Sequence, residues 1–320
     1  MRIFTAAASL FVLWISGAAA QTSVQEYALP PRITAHDIWA DPAPGGPVWF
    51  SGQGSGNAGR LDPKTGKVEL IPLGSGSSPH GVILDRDGSA WFTDGGQNAI
   101  VRVDAKTKEV KKWPLPEGSG YTNLNTAIFD NAGIHWFTGQ SGYYGRLDPK
   151  SGDLKVYDAP KGRGPYGIHA TPDGTVYFAS LAGSSVGRID AATHKVQVIE
   201  PPTPGQGARR VWSDSKGVVW VAEWNSGNLS RYDPKSGAWK AWKAPGERPR
   251  TYAVYVDETD KVWIAEWDKQ LMMRFDPATE KWDSYSSSSG TANVRQIHGR
   301  KGEVWTPESA AGKLVVYRYK

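Results

Sequence analysis

The 320-residue chain contains no cysteine and only three methionines. The missing cysteines exclude disulfide stapling, thiolate catalysis, cysteine-ligated zinc and a lipidated cysteine anchor. Basic runs are also missing. The 37 Lys and Arg are interspersed with 32 Asp and Glu for a formal charge of +5, too modest and too evenly spread for a nucleic-acid surface. Beyond residue 20 there is no apolar run long enough for a membrane span and no long amphipathic helical stretch. Fifteen Trp, thirteen Tyr and eight Phe stand beside 37 Gly and 22 Pro. That mixture suits an all-β protein, in which aromatic rings cover pleated surfaces and Gly and Pro make the turns.

Residues 1–20 read as a signal peptide. Arg2 gives a positive start, Phe4 to Ile15 is apolar apart from Thr5 and Ser9, and Ala18-Ala19-Ala20 supplies small residues for cleavage after Ala20. The apolar core is shorter than the roughly 20 residues of a span. The mature chain is therefore expected in the bacterial periplasm or outside the cell, without a stable membrane span.

Residues 21–320 repeat one unit seven times. Aromatic-centred strands recur at Trp49, Trp91, Trp136, Tyr177, Trp220, Trp263 and Trp305, spaced by 42, 45, 41, 43, 43 and 42 residues. A period of about 40–45 with several short strands per unit predicts the blades of a β-propeller. Each unit runs through an opening strand, a turn such as Asp87-Gly88, the aromatic strand, a strand ending like Gly59-Arg60-Leu61-Asp62, and a last strand ending in Pro. The seventh unit lacks its fourth strand. Val24 to Pro30 resembles Val110 to Pro116, the fourth strand of the second unit. The N-terminal strand is thus expected to complete the last blade, closing a single seven-bladed domain and leaving no sheet edge bare. Such a ring is expected to be a monomer. The repeated aromatics are then core, and the repeated Arg60, Arg102, Arg146, Arg188, Arg231 and Arg274 are scaffold, because a site requires asymmetry.

The asymmetry lies in two circles at one mouth of the channel. Starts of first strands give His36, His80, Asn125, Tyr166, Arg209, Tyr252 and Arg295; ends of second strands give Gly52, Asp94, Gly139, Ser180, Glu223, Glu266 and Glu308. His36 and His80 are candidate catalytic bases, since imidazole titrates near neutrality, and Glu308 is a candidate catalytic carboxylate. Asp94, Glu223, Glu266 and Glu308 are candidate ligands for Mg2+ or another divalent metal, with His36, His80 and Asp94 as an alternative set. Arg209, Arg250 and Arg295, with Tyr166, Tyr252, Trp224 and Trp267 as walls, are candidates for binding a small-molecule or peptide-like ligand. The arginines and glutamates can equally be ion pairs holding the channel lining.

The motifs Pro79-His80-Gly81-Val82, Pro165-Tyr166-Gly167-Ile168, Trp91-Phe92-Thr93, Trp136-Phe137-Thr138 and Gly187-Arg188-Ile189-Asp190 resemble those of the virginiamycin B lyase (streptogramin lyase) family across the mature chain. The resemblance implies a seven-bladed propeller. It also implies elimination at the ester bond of a cyclic depsipeptide, using magnesium, histidine and glutamate at the channel mouth. The family's histidine opening the sixth blade falls on Tyr252 or Arg250, and its Glu-Pro-His opening the seventh falls on Asn293-Val294-Arg295. Its glutamate after the last aromatic strand is matched by Glu308. Three readings follow: a lyase-like enzyme with a relocated base, a metal-dependent ester or lactone hydrolase that chelation would silence, and a noncatalytic propeller binding an anionic ligand or partner.

Overall fold

The computed structural model describes residues 22–319, so the expected signal peptide and its cleavage point lie outside the described residues. Among the described residues no helix is long and apolar enough to cross a membrane. Seven four-stranded antiparallel sheets form a propeller ring. Six follow the chain directly: the second blade, for example, runs through Pro79–Leu84, Ala90–Asp94, Ala99–Val103 and Val110–Pro114. First strands are buried almost throughout and fourth strands are half exposed, so each blade runs from the channel outward.

The repeated motifs have local causes. Gly59 lies opposite Phe50, Gly145 opposite Phe137, and Gly187 opposite Phe178. A Cβ on Gly59 would stand 2.0 Å from the Phe50 ring, so glycine is there to let the ring lie flat on the neighbouring strand. Gly59→Ala is expected to cost about 1–3 kcal/mol through overpacking, read as a lower urea midpoint at an unchanged slope; parental stability would contradict this packing.

The turn acid between first and second strands accepts a hydrogen bond from the indole of the aromatic strand, as Trp91 to Asp85 and Trp263 to Asp257, both 2.8 Å. The repeated arginine then covers that indole, as Arg102 over Trp91 at 5.9 Å and Arg274 over Trp263 at 5.6 Å. These arginines are scaffold.

Closure follows the expected route. Ser23–Ala28 pairs antiparallel with Lys313–Arg318, from Ser23 opposite Arg318 to Ala28 opposite Lys313. Tyr27 stacks on Trp305 at 5.5 Å and donates its hydroxyl to Pro63 of the first blade at 3.0 Å. The two chain ends therefore hold both the last blade and its junction with the first.

Five of the first strands carry a register shift near their start, as between Pro79 and Gly81 or Ala208 and Arg210. A bulge adds a residue and resets the alternation of sides. Residues at the strand start and those three positions later therefore both meet across the channel, as Tyr166 meets Tyr252 and Trp39 meets Trp212.

Candidate functional site

The first circle is assembled at one end of the ring, called here the upper mouth. The His36 and His80 rings lie 4.0 Å apart, and His80 Nε2 is 3.1 Å from the Asn125 side-chain nitrogen. The Tyr166 and Tyr252 hydroxyls are 2.6 Å apart, and Arg209 donates to the Tyr166 hydroxyl at 3.1 Å. Both tyrosines are buried. They support Arg209 from below and present little surface of their own.

The carboxylates of the second circle turn into their own loops. Asp94 accepts the backbone N–H groups of Ser78, Gly96 and Gln97 and the Ser77 hydroxyl. Glu266 accepts the N–H groups of Arg250, Asp268 and Lys269. Glu223 takes the Ser226 hydroxyl, and Glu308 takes Ser287 at 2.7 Å and Lys313 at 3.3 Å. This corrects two expectations. Asp94 is not the partner of His80, and Asp94, Glu223, Glu266 and Glu308 do not converge on one point, because strand ends on separate blades spend them as turn caps. Magnesium needs several oxygen donors in near-octahedral array, and these residues do not fit it.

The arginine–glutamate pairs do not form either. Among the described residues, Arg209, Arg248, Arg250 and Arg295 make no ion pair with a carboxylate. The guanidinium of Arg209 lies 3.5 Å from the centre of the Tyr252 ring and 4.3 Å from Trp224. Arg250 lies 5.1 Å from Trp224, and Arg295 lies 5.3 Å from Trp267. Tyr252 and Trp267 stack at 4.9 Å, with Trp224 edge-on to both. Blades five to seven thus carry a cationic wall on an aromatic backing. Two hollows of about 290 Å³ open here, one lined by Arg248, Arg250, Trp267 and Asp268, the other by residues including His36, Gln53, Asn293, Arg295 and Ser309.

Three donor atoms of His36, Asp37 and His80 come within 4.8 Å of one another. Asp37 is already engaged: Arg210 Nη2 reaches its two oxygens at 3.0 and 3.2 Å, and His36 Nδ1 lies 2.9 Å from Oδ1. Burial alone would raise the Asp37 pKa, but the Arg210 charge and the His36 hydrogen bond hold it at about 2. Burial lowers the pKa of His36 below the usual histidine value; Asp37 opposes this, and the charges of Arg295 and Arg210 reinforce it. His80 lies well below that value, through burial and the adjacent His36. Two neutral imidazoles over an Asp–Arg pair is an ion-pair arrangement, with two guanidinium charges where a cation would bind.

Asp37 and Arg210 were missed by the circle of strand starts because they sit one residue further on. The signal was present: in that next circle, made of Asp37, Gly81, Thr126, Gly167, Arg210, Ala253 and Gln296, only one acid and one base occur. A second miss lies deeper. His169 stacks on Trp212 at 3.9 Å and His298 on Trp39 at 3.8 Å, with Tyr255 beside Trp212. This aromatic layer crosses the channel below the ion pair.

A profile of the virginiamycin B lyase family matches residues 14–273. No match was found among curated proteins. Among solved structures, a streptogramin B lyase is 21% identical over 93% of this chain and 98% of its own, with a TM-score of 0.84. Selenomethionine-substituted virginiamycin B lyase from Staphylococcus aureus is 20% identical over 93% and 99%, at 0.84. A catalytically inactive histidine-to-alanine variant of the Staphylococcus aureus enzyme with quinupristin is 20% identical over 93% and 99%, at 0.85. At such identities the likeness establishes the fold alone.

Proposed function

Because this chain belongs to the virginiamycin B lyase family, we propose that it is an exported, monomeric lyase-like propeller whose upper mouth recognises an anionic ligand with a flat apolar body. The observation that carries this reading is the set of arginines at positions 209, 250 and 295, each laid on an aromatic face and none neutralised by a carboxylate. A guanidinium stacked on a ring keeps its N–H edge free for an anion, and the stacking fixes its direction. Trp224 and Trp267 offer apolar area for the rest of the ligand. On this reading cationic side chains, and not a divalent ion, meet the ligand's negative charge.

Calorimetric titration of the mature protein with 4-acetylbenzoate, in the presence of EDTA, tests it. Binding is expected, and Arg250→Gln should weaken it about tenfold or more, since a charge-assisted hydrogen bond contributes about 1.5–3 kcal/mol. An absence of heat, or binding that appears only with added magnesium, would sink the reading. Opening of the quinupristin ring by the protein would extend it to lyase action on a cyclic depsipeptide.

A further inference from the structure

We infer that His36 is a general base for metal-free ester hydrolysis in the hollow between blades seven and one, with Arg295 polarising the ester carbonyl and Asp37 as a positioning residue. The inference rests on the anion-binding reading above and adds a reaction to it.

The geometry begins with the imidazole. Its Nδ1 lies 2.9 Å from Asp37 Oδ1, which fixes the proton on Nδ1 and leaves the lone pair on Nε2. Nε2 has no hydrogen-bond partner among the described residues and is not among the buried unpaired atoms, and the side chain keeps 11% of its surface. His36 lines the same hollow as Arg295. Arg295 is held by the Ser309 hydroxyl and by the Asn293 carbonyl at 3.4 Å, and Trp267 lies between it and the hollow of Arg250. An aromatic carboxylate ester can therefore place its acid at Arg250, its ring along the partly exposed side of Trp267 and its ester beside Arg295.

The step uses only water as co-reactant. Nε2 takes a proton as the water oxygen bonds to the ester carbon, and the carbonyl electron pair moves to the oxygen facing Arg295. Collapse restores the carbonyl, breaks the C–O bond to the alcohol, and returns the proton from Nε2 to the departing oxygen. The imidazolium is stabilised by Asp37, and Asp37 is held by Arg210. His80, Arg210 and Arg295 also face His36; burial and the two arginine charges keep it neutral below the usual histidine range, against the opposing pull of Asp37.

The test is release of 4-hydroxybenzoate from 4-acetoxybenzoate by the mature protein in EDTA. The parent is expected to turn over, with a rate that falls on an acid limb below pH 6.5. His36→Gln should lower kcat about 100-fold or more while binding 4-acetylbenzoate within about twofold of the parent, as the Gln amide can still donate to Asp37 and so spare its pairing with Arg210. Asp37→Asn should move the acid limb to lower pH, because Asp37 raises the His36 pKa; a merely structural role would leave the limb in place. Binding without turnover, or His36→Gln with parental turnover, overturns the base while the anion site stands. No binding of 4-acetylbenzoate overturns both.

Discussion

Asp37→Ala should destabilise the protein by about 3–5 kcal/mol, the cost of stranding a buried charge. The pair joins blade one to blade five across the channel, with 0% and 5% of the side chains exposed. Nη2 of Arg210 finds both oxygens of Asp37, whereas Nε has no partner. Without the carboxylate that buried guanidinium has no counter-ion among the described residues. The pair is not a net gain over apolar packing, however. Desolvating two ions costs as much as their attraction returns, so Asp37→Leu with Arg210→Met should recover most of the loss. Urea denaturation of Asp37→Leu, Arg210→Met and the double variant at pH 7.5 forms the cycle, with Asp37→Ala measured beside it. A loss below about 1 kcal/mol for Asp37→Ala, or strictly additive effects, would mean that water reaches the pair and that the channel is not sealed there. The result matters for the site, because Asp37 also orients His36.

The periodic part of this molecule was legible because it obeys local rules seven times over. The aromatic anchor recurs in all seven blades, turns such as Asp87-Gly88 mark where its strand begins, and the orphan strand at residues 24–30 had one place to go. Membership of strand starts was legible too, so His36, His80, Tyr166, Arg209, Tyr252 and Arg295 do share a mouth. What could not be read was side-chain direction at strand ends. A carboxylate one bond from a turn can face the channel or accept the turn's own N–H groups, and Asp94 and Glu266 do the latter. Spacing is silent on that choice, since it is made by the loop backbone. The bulges hid the rest. A strict alternation puts residues three apart on opposite sides, whereas here Tyr166 and His169 both reach the channel. His169 and His298, stacked on Trp212 and Trp39, therefore plug the channel.

Those plugs predict acid lability well above the range in which carboxylates protonate. Burial drives the pKa values of His135, His169 and His298 from about 6.5 down to about 3, with the His169 and Arg300 charges adding to the effect at His298. The folded values lie below the unfolded ones, so the unfolded chain binds more protons as the pH drops. The stability from these groups is complete above pH 6.5 and is lost progressively as the pH falls toward 3. Each histidine costs about 1.4 kcal/mol per pH unit in that window, or about 2 kcal/mol by pH 5 and about 6 kcal/mol for the three. Asp37 acts in a lower window: its contribution holds above about pH 4 and disappears as the pH falls through 2. The chemistry of each ring agrees with the direction. His298 Nδ1 accepts the Ala40 N–H at 3.1 Å, a bond that protonation would break. Both nitrogens of His135 are unpartnered beside Trp91 and Phe129, at a position where the other blades carry Val or Ala. His135→Leu should therefore keep parental stability at pH 7.5 and remove about 2 kcal/mol of the loss between pH 6.5 and 5. Denaturant midpoints across that range read both. A parent whose stability is flat from pH 7 to 5 would require these imidazoles to reach water, and the aromatic layer would then not close the channel.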